Sequence, residues 1–176
     1  MALPDKAPRF TVKKITLYAV LLAVSLILSY IESLFFNSVS LPGIKLGLSN
    51  ISLLAVVYLS DPIIAFIFGI LKCVVSLLFT GRLSSLLFSM AGVLFATCAM
   101  VILSKTKFFS VFGVSACGSV FHVWGQLFAA SMYFGTLSFL AYMPLLTVLA
   151  IVNGLLTALP VLALFKSSAF TSLWEG

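Results

Sequence analysis

The polar side chains that could do chemistry in this chain are few, and each interrupts or borders an apolar stretch. Glu32 and Lys72 each lie inside such a stretch. His122 and Gln126 lie together in a third stretch, four residues apart, which is about one turn of a helix. An ionised side chain inside a bilayer costs about 3 kcal/mol or more, so residues of this kind face the interior of a helix bundle and pair there. We expect these four residues to mark a polar interior.

Three further candidates, Lys45, Asn50 and Arg82, border the apolar stretches on the same predicted side. The predicted ligand-binding set is therefore Glu32, Lys45, Asn50, Lys72, Arg82, His122 and Gln126. Two or three cations against one carboxylate leave surplus positive charge, which suits an anionic group such as a phosphate or a carboxylate. The alternatives are structural: a Glu32–Lys72 pair, snorkelling of Lys45 and Arg82 to lipid headgroups, and hydrogen bonds between helices from His122 and Gln126.

The residues needed for most catalytic chemistry are missing from the sequence. It contains no GxxxxGK[ST], HExxH or GxSxG motif. Its two aspartates, Asp5 and Asp61, are far apart, so the chain cannot build the clustered carboxylates that hold Mg²⁺ against prenyl diphosphates. Cys73, Cys98 and Cys117 fall in separate apolar runs without ligand spacing. We expect no catalytic residue, no metal site and no cofactor.

Six apolar runs must position the polar residues, because 62% of the chain is hydrophobic and only 8% is charged. The runs cover residues 15–36, 46–60, 63–80, 83–104, 109–134 and 139–165. They are continuously apolar rather than alternating, which favours membrane-spanning helices over a membrane barrel. The expected fold is an all-α bundle of six transmembrane helices, forming a single multi-pass domain over residues 1–176, with the first helix retained rather than cleaved as a signal peptide.

Basic residues indicate how the bundle is oriented, since Lys and Arg near helix ends favour the cytoplasm. A cytoplasmic N-terminus leaves only Lys45 and Arg82 outside, and places the following seven inside: Lys6, Arg9, Lys13, Lys14, Lys105, Lys107 and Lys166. Both termini are therefore expected in the cytoplasm. This topology and contact with anionic lipid headgroups account for the net charge of +6 without a nucleic-acid partner.

The outer segment 37–50, NSVSLPGIKLGLSN, is the longest and most polar connection, with Pro42, Gly43 and Gly47. Irregular backbone at membrane depth is tolerated only where protein buries it or where it lines a cavity. The segment is therefore the best candidate for a loop that contacts the ligand. On the other half of the first helix, Ala19 and Ala23 form an AxxxA pair that would let another helix approach closely.

Several stretches resemble the bacterial Gx transporter family, many of whose members are labelled heptaprenyl diphosphate synthase component I. The stretches are LSYIESLF (28–35), PGIKLGLSNI (42–51), FGVSACGSVFHVWGQL (112–127) and YMPLLTVLAIVNGLLTAL (142–159). The family is grouped with the substrate-binding S components of energy-coupling factor transporters. That relation implies a six-helix bundle in the bacterial cell membrane, with an outward-facing ligand cavity and a docking contact at Ala19 and Ala23.

Three functions follow from the residues and the resemblance together. The first is a non-enzymatic, S-component-like subunit that captures a small anionic ligand, vitamin-like or a prenyl or quinone precursor, and docks onto a coupling membrane protein driven by ATPases. The alternative is a non-catalytic membrane subunit of heptaprenyl diphosphate synthase, with catalysis in a separate prenyl synthase subunit. A third is a scaffold protein for a redox complex, in which the polar residues serve packing alone.

Overall fold

The computed structural model describes residues 12–36, 47–81, 83–106 and 108–167, and this part of the chain is helical without a strand. Its helices are α1 (Val12–Phe36), α2 (Asn50–Leu59), α3 (Pro62–Thr80), α4 (Leu83–Ser104), α5 (Val111–Phe134) and α6 (Met143–Lys166). A 3₁₀ helix over Leu137–Tyr142 leads into α6. The predicted all-helical architecture is confirmed.

Five of these helices are long and apolar enough to cross a membrane, and α2 is not. The 10 residues of α2 rise only about 15 Å, half of the roughly 30 Å of hydrocarbon in a bilayer. The expectation of six full spans is therefore not confirmed. The structure instead shows five helices of spanning length, as in a multi-pass membrane protein, together with one half-length helix.

Proline and glycine set the ends of the long helices. Pro62 occupies the first turn of α3, where its missing N–H is not needed, and Gly81 closes that helix in the left-handed conformation with a φ of 62°. At α5, the Ser110 hydroxyl accepts a hydrogen bond from the Gly113 N–H at 3.3 Å, and Gly135 ends the helix with a φ of 64°. These caps produce the short connections that the sequence indicated.

The half-length helix α2 lies in the middle of the bundle, and eight of its ten residues are buried. It packs on α1, α3, α4, α5 and α6. At its end, the Tyr58 ring meets Phe165 edge-on at 6.0 Å, and Ser60 hydrogen-bonds the Tyr18 side chain. The second turn of α1, the end of α2 and the end of α6 therefore share one side of the bundle. That both termini are cytoplasmic stays a prediction from the basic residues.

Close approach of backbones holds α4, α5 and α6 together. An ideal Cβ on Gly154 in α6 would lie 2.5 Å from the Ala116 Cα in α5, and one on Gly125 in α5 would lie 2.8 Å from the Ala91 carbonyl oxygen in α4. Small residues at helix crossings give this kind of contact in membranes, where hydrophobic attraction between helices is weak. On these three helices α2 packs directly, and α3 packs on α4, while α1 packs on α2 and α3.

Candidate functional site at the start of α2

Five of the seven predicted ligand-binding residues come together around the first turn of α2. Glu32 arrives from α1, Asn50 from α2, Lys72 from α3, and His122 with Gln126 from α5. Each of them is at most 4% exposed. The remaining two, Lys45 and Arg82, lie outside the described residues, as do residues 37–46 of the predicted ligand loop. We call the five buried residues, with the turn Gly47–Asn50, the polar cluster.

Glu32 holds the turn Gly47–Asn50 that leads into α2, whose N-cap is Ser49; we call this turn the capping turn. The Gly47 N–H donates a hydrogen bond to Glu32 Oε1 at 2.5 Å, and the Gly47 carbonyl accepts one from the Asn50 N–H at 2.9 Å. The Gly47 N–H lies just before the helix, and the dipole of α2 favours a negative charge at this end. The sequence singled out Glu32 but not its partner, because a backbone donor has no signature in a side-chain motif.

Lys72 reaches the same turn from the opposite flank. Its ammonium donates to Ser49 Oγ at 3.1 Å and to Asn50 Oδ1 at 3.3 Å, and the Ser25 hydroxyl donates to the Ser49 carbonyl at 3.2 Å. These bonds offset part of the cost of removing an ammonium group from water. Sequence reasoning missed Ser49, which is buried; its only signal was the short polar pair Ser49-Asn50 directly before an apolar run.

His122 and Gln126 border the cluster from α5. Their side-chain nitrogens, Nε2 in both residues, lie 3.0 Å apart, and the His122 Cδ2 lies 3.3 Å from the point that a Cβ on Gly47 would occupy. Gly92 lets α4 come close, since a Cβ there would lie 2.8 Å from Gln126 Cγ. The imidazole of His122 thus lies between Gln126 and the capping turn.

One buried donor in the polar cluster lacks a partner within the described part of the chain. Asn50 Nδ2 donates a hydrogen bond to no acceptor among the described residues, although Asn50 is only 1% exposed. The atom lies 2.6 Å from the position of a Gly47 Cβ, so it points back towards the capping turn. Leaving a buried donor unsatisfied costs about 1–3 kcal/mol, so such a group is a natural place for a ligand atom.

The charges that the structure shows in the polar cluster balance, with one carboxylate on Glu32 and one ammonium on Lys72. The predicted surplus of positive charge rests on Lys45 and Arg82. Among the described residues no group of three His, Cys, Asp or Glu side chains could hold a metal ion. The arrangement can therefore bind a polar or anionic group through backbone, amide and ammonium donors.

Two cavities in the structure lie away from the polar cluster. One, of about 470 Å³, is apolar and lies against α4 and α5, where Leu94, Cys98 and Phe121 line it. The other, of about 290 Å³, lies at the end of α5 beside Ser131 and Leu137. The polar cluster itself is closed by side chains that are nearly inaccessible to solvent.

Ala19 and Ala23, the predicted docking pair, are both exposed on α1. They share that surface with Val20 and Ile27, which are 55% and 60% exposed. This face is separated from the polar cluster along the helix and is open to lipid or to another helix.

Comparison with known proteins identifies a family. Residues 21–164 match the family model described as heptaprenyl diphosphate synthase component I, a range that contains all of the polar cluster and α2 to α5 entire. Neither a curated protein nor a solved structure matches the chain.

Proposed function

Because the chain belongs to the heptaprenyl diphosphate synthase component I family, we propose that it is a membrane subunit that works with a separate prenyl synthase catalytic subunit. The family match over residues 21–164 is the observation that carries the proposal. Component I is a non-catalytic subunit, so the chain is not itself an enzyme. The match favours this alternative function over capture and transport of a ligand.

The chemistry of the product supplies a reason for a membrane subunit. A heptaprenyl chain has roughly 35 carbon atoms, and each buried CH₂ group favours the apolar phase by about 0.8 kcal/mol. A long prenyl diphosphate therefore belongs at a bilayer, with its chain among the lipids and its diphosphate held by polar groups. The polar cluster offers such groups at the start of α2, and the exposed apolar faces of the helices border the lipid.

Reconstitution tests the proposal. The catalytic subunit would be assayed for prenyl chain elongation in solution, with empty vesicles, and with vesicles that carry this chain. We expect the vesicles with this chain to increase the yield of heptaprenyl diphosphate, and the two subunits to co-purify from membranes. Full-length product at the same rate in all three conditions, without co-purification, would refute the subunit role.

A capture subunit of a transporter is the second candidate, supported by the buried polar cluster and by the separate small-residue face at Ala19 and Ala23. The two functions differ in the bound molecule and in the partner. Mass spectrometry of small molecules that co-purify with the chain separates them. A prenyl diphosphate supports the synthase subunit, and a vitamin-like anion together with a coupling membrane protein supports transport.

A further inference from the structure

Three kinds of donor converge on the capping turn of α2: the Gly47 N–H, the Asn50 amide and the Lys72 ammonium. We infer that this turn is an anion site for the diphosphate end of a prenyl ligand, and that the Glu32 carboxylate occupies it when no ligand is bound. The inference rests on the proposed function, because it assigns the ligand group that the polar cluster binds. It makes Glu32 a competitor of the ligand rather than a contact to it.

Geometry supports an anion site at this turn. The dipole of α2 favours negative charge at its N-terminus, and the Gly47 N–H just before the helix supplies a backbone donor for a phosphate. The ten-residue α2 begins inside the bundle, away from water, where such interactions are strongest. The buried Asn50 Nδ2, which no described residue accepts from, adds a donor that Glu32 does not use. A phosphate has more acceptor oxygens than a carboxylate, so it can satisfy more of these donors at once.

Repulsion between like charges determines how a phosphate can replace the Glu32 carboxylate at the capping turn. Among the residues that the structure describes, the titratable and charged groups that border the capping turn are Glu32 from α1, Lys72 from α3 and His122 from α5, while Asn50 from α2 is neutral. A phosphate beside an ionised Glu32 would place like charges together in a medium of low dielectric, which is unfavourable. Binding therefore requires Glu32 to leave the turn or to take up a proton. Either route makes the carboxylate charge a barrier to ligand binding.

The substitution Glu32→Gln tests this directly, because glutamine keeps an acceptor for the Gly47 N–H and removes the charge. The full chain would be placed in lipid nanodiscs, and binding of farnesyl diphosphate measured by calorimetry, with inorganic diphosphate and farnesol as separate probes. We expect E32Q to bind farnesyl diphosphate about tenfold or more tightly than the wild type, inorganic diphosphate also more tightly, and farnesol equally. Ser29→Ala, a neutral change one turn earlier on α1, is the matched control and should leave affinity unchanged.

The outcomes distinguish this inference from the function on which it rests. If both proteins bind farnesyl diphosphate and E32Q binds it equally or more weakly, Glu32 is a cap or a ligand contact, and the inference is wrong while the site stands. If neither protein binds either diphosphate, the proposed ligand site fails and the inference fails with it. Lowering the pH should increase the affinity of the wild type for farnesyl diphosphate more than that of E32Q, because only the wild type has a carboxylate at residue 32 to protonate. Both proteins retain His122, so any effect of His122 is common to the two. Equal pH dependence would contradict competition by Glu32.

Discussion

The Gly47 N–H donates a hydrogen bond to Glu32 Oε1 across 15 residues of sequence, and this bond joins the end of α1 to the first turn of α2. The bond places a carboxylate beside the turn that leads into α2, a helix of only 10 residues. Lys72 holds the other flank of the same turn through Ser49 and Asn50. A movement that opens the polar cluster must therefore break hydrogen bonds to this turn. Substitutions at the turn and at its partners are the most direct test.

Gly47 should not tolerate a side chain. Its φ is 93°, and a Cβ there would lie 2.6 Å from Asn50 Nδ2 and 3.3 Å from His122 Cδ2. We expect Gly47→Ala to displace Asn50 and to lower both thermal stability in detergent and affinity for farnesyl diphosphate. The measurements are a thermal scan of the purified protein and the calorimetric binding assay.

Gly135 provides the matched control for that substitution. It also has a left-handed backbone, with a φ of 64°, but a Cβ there would meet nothing within 4 Å. Gly135→Ala should thus show only the conformational cost of about 1–2 kcal/mol for a side chain in this region. If Gly47→Ala and Gly135→Ala lose equal stability and neither changes the affinity for farnesyl diphosphate, crowding of Asn50 and His122 contributes neither to stability nor to binding.

Lys72 should be required for binding of a diphosphate. Lys72→Met keeps the length and apolar stem of the side chain and removes the buried ammonium that contacts Ser49 and Asn50. We expect affinity for farnesyl diphosphate to fall about tenfold or more, because a charge pair in a dry site is strong. The exposed Lys13 near the start of α1 is the control, and Lys13→Met should bind as the wild type does. Equal affinity in K72M would place the anion elsewhere.

The sequence predicted the class of fold and most of the polar cluster because both follow from transfer energies. A buried charge such as Glu32 or Lys72 is too costly to be lipid-facing, so its interior position could be inferred. The short length of α2 could not be inferred, since an apolar run over residues 46–60 is compatible with a helix that starts anywhere within it. The roles of Gly47 and Ser49 could not be inferred either. They depend on how the backbone turns and on which neighbouring helix supplies the hydrogen-bond partner.

The crossing of α5 and α6 should depend on Gly154. A Cβ there would lie 2.5 Å from the Ala116 Cα and 2.8 Å from the Ser115 carbonyl oxygen. Both are backbone atoms, which cannot move away as the end of a flexible side chain can. We expect Gly154→Ala to lower the melting temperature in detergent, although alanine is intrinsically the better helix former by about 1 kcal/mol. Gly113→Ala in α5 meets only the Phe109 side chain at 3.0 Å and should be neutral or stabilising. The opposite order of stabilities would show that the two helices are not closely packed at Gly154.

The exposed pair Ala19 and Ala23 should carry the contact with a partner protein. Leucine at either position would fill the space into which a second helix packs, while leaving the interior of this bundle untouched, because both residues face outward. We expect Ala19→Leu and Ala23→Leu to reduce co-purification of the partner several-fold, with unchanged thermal stability and unchanged affinity for farnesyl diphosphate. Ala163→Leu is the control, since Ala163 is equally an exposed alanine but lies on α6. Full partner recovery by both α1 variants, or an equal loss with Ala163→Leu, would move the docking surface away from this face of α1.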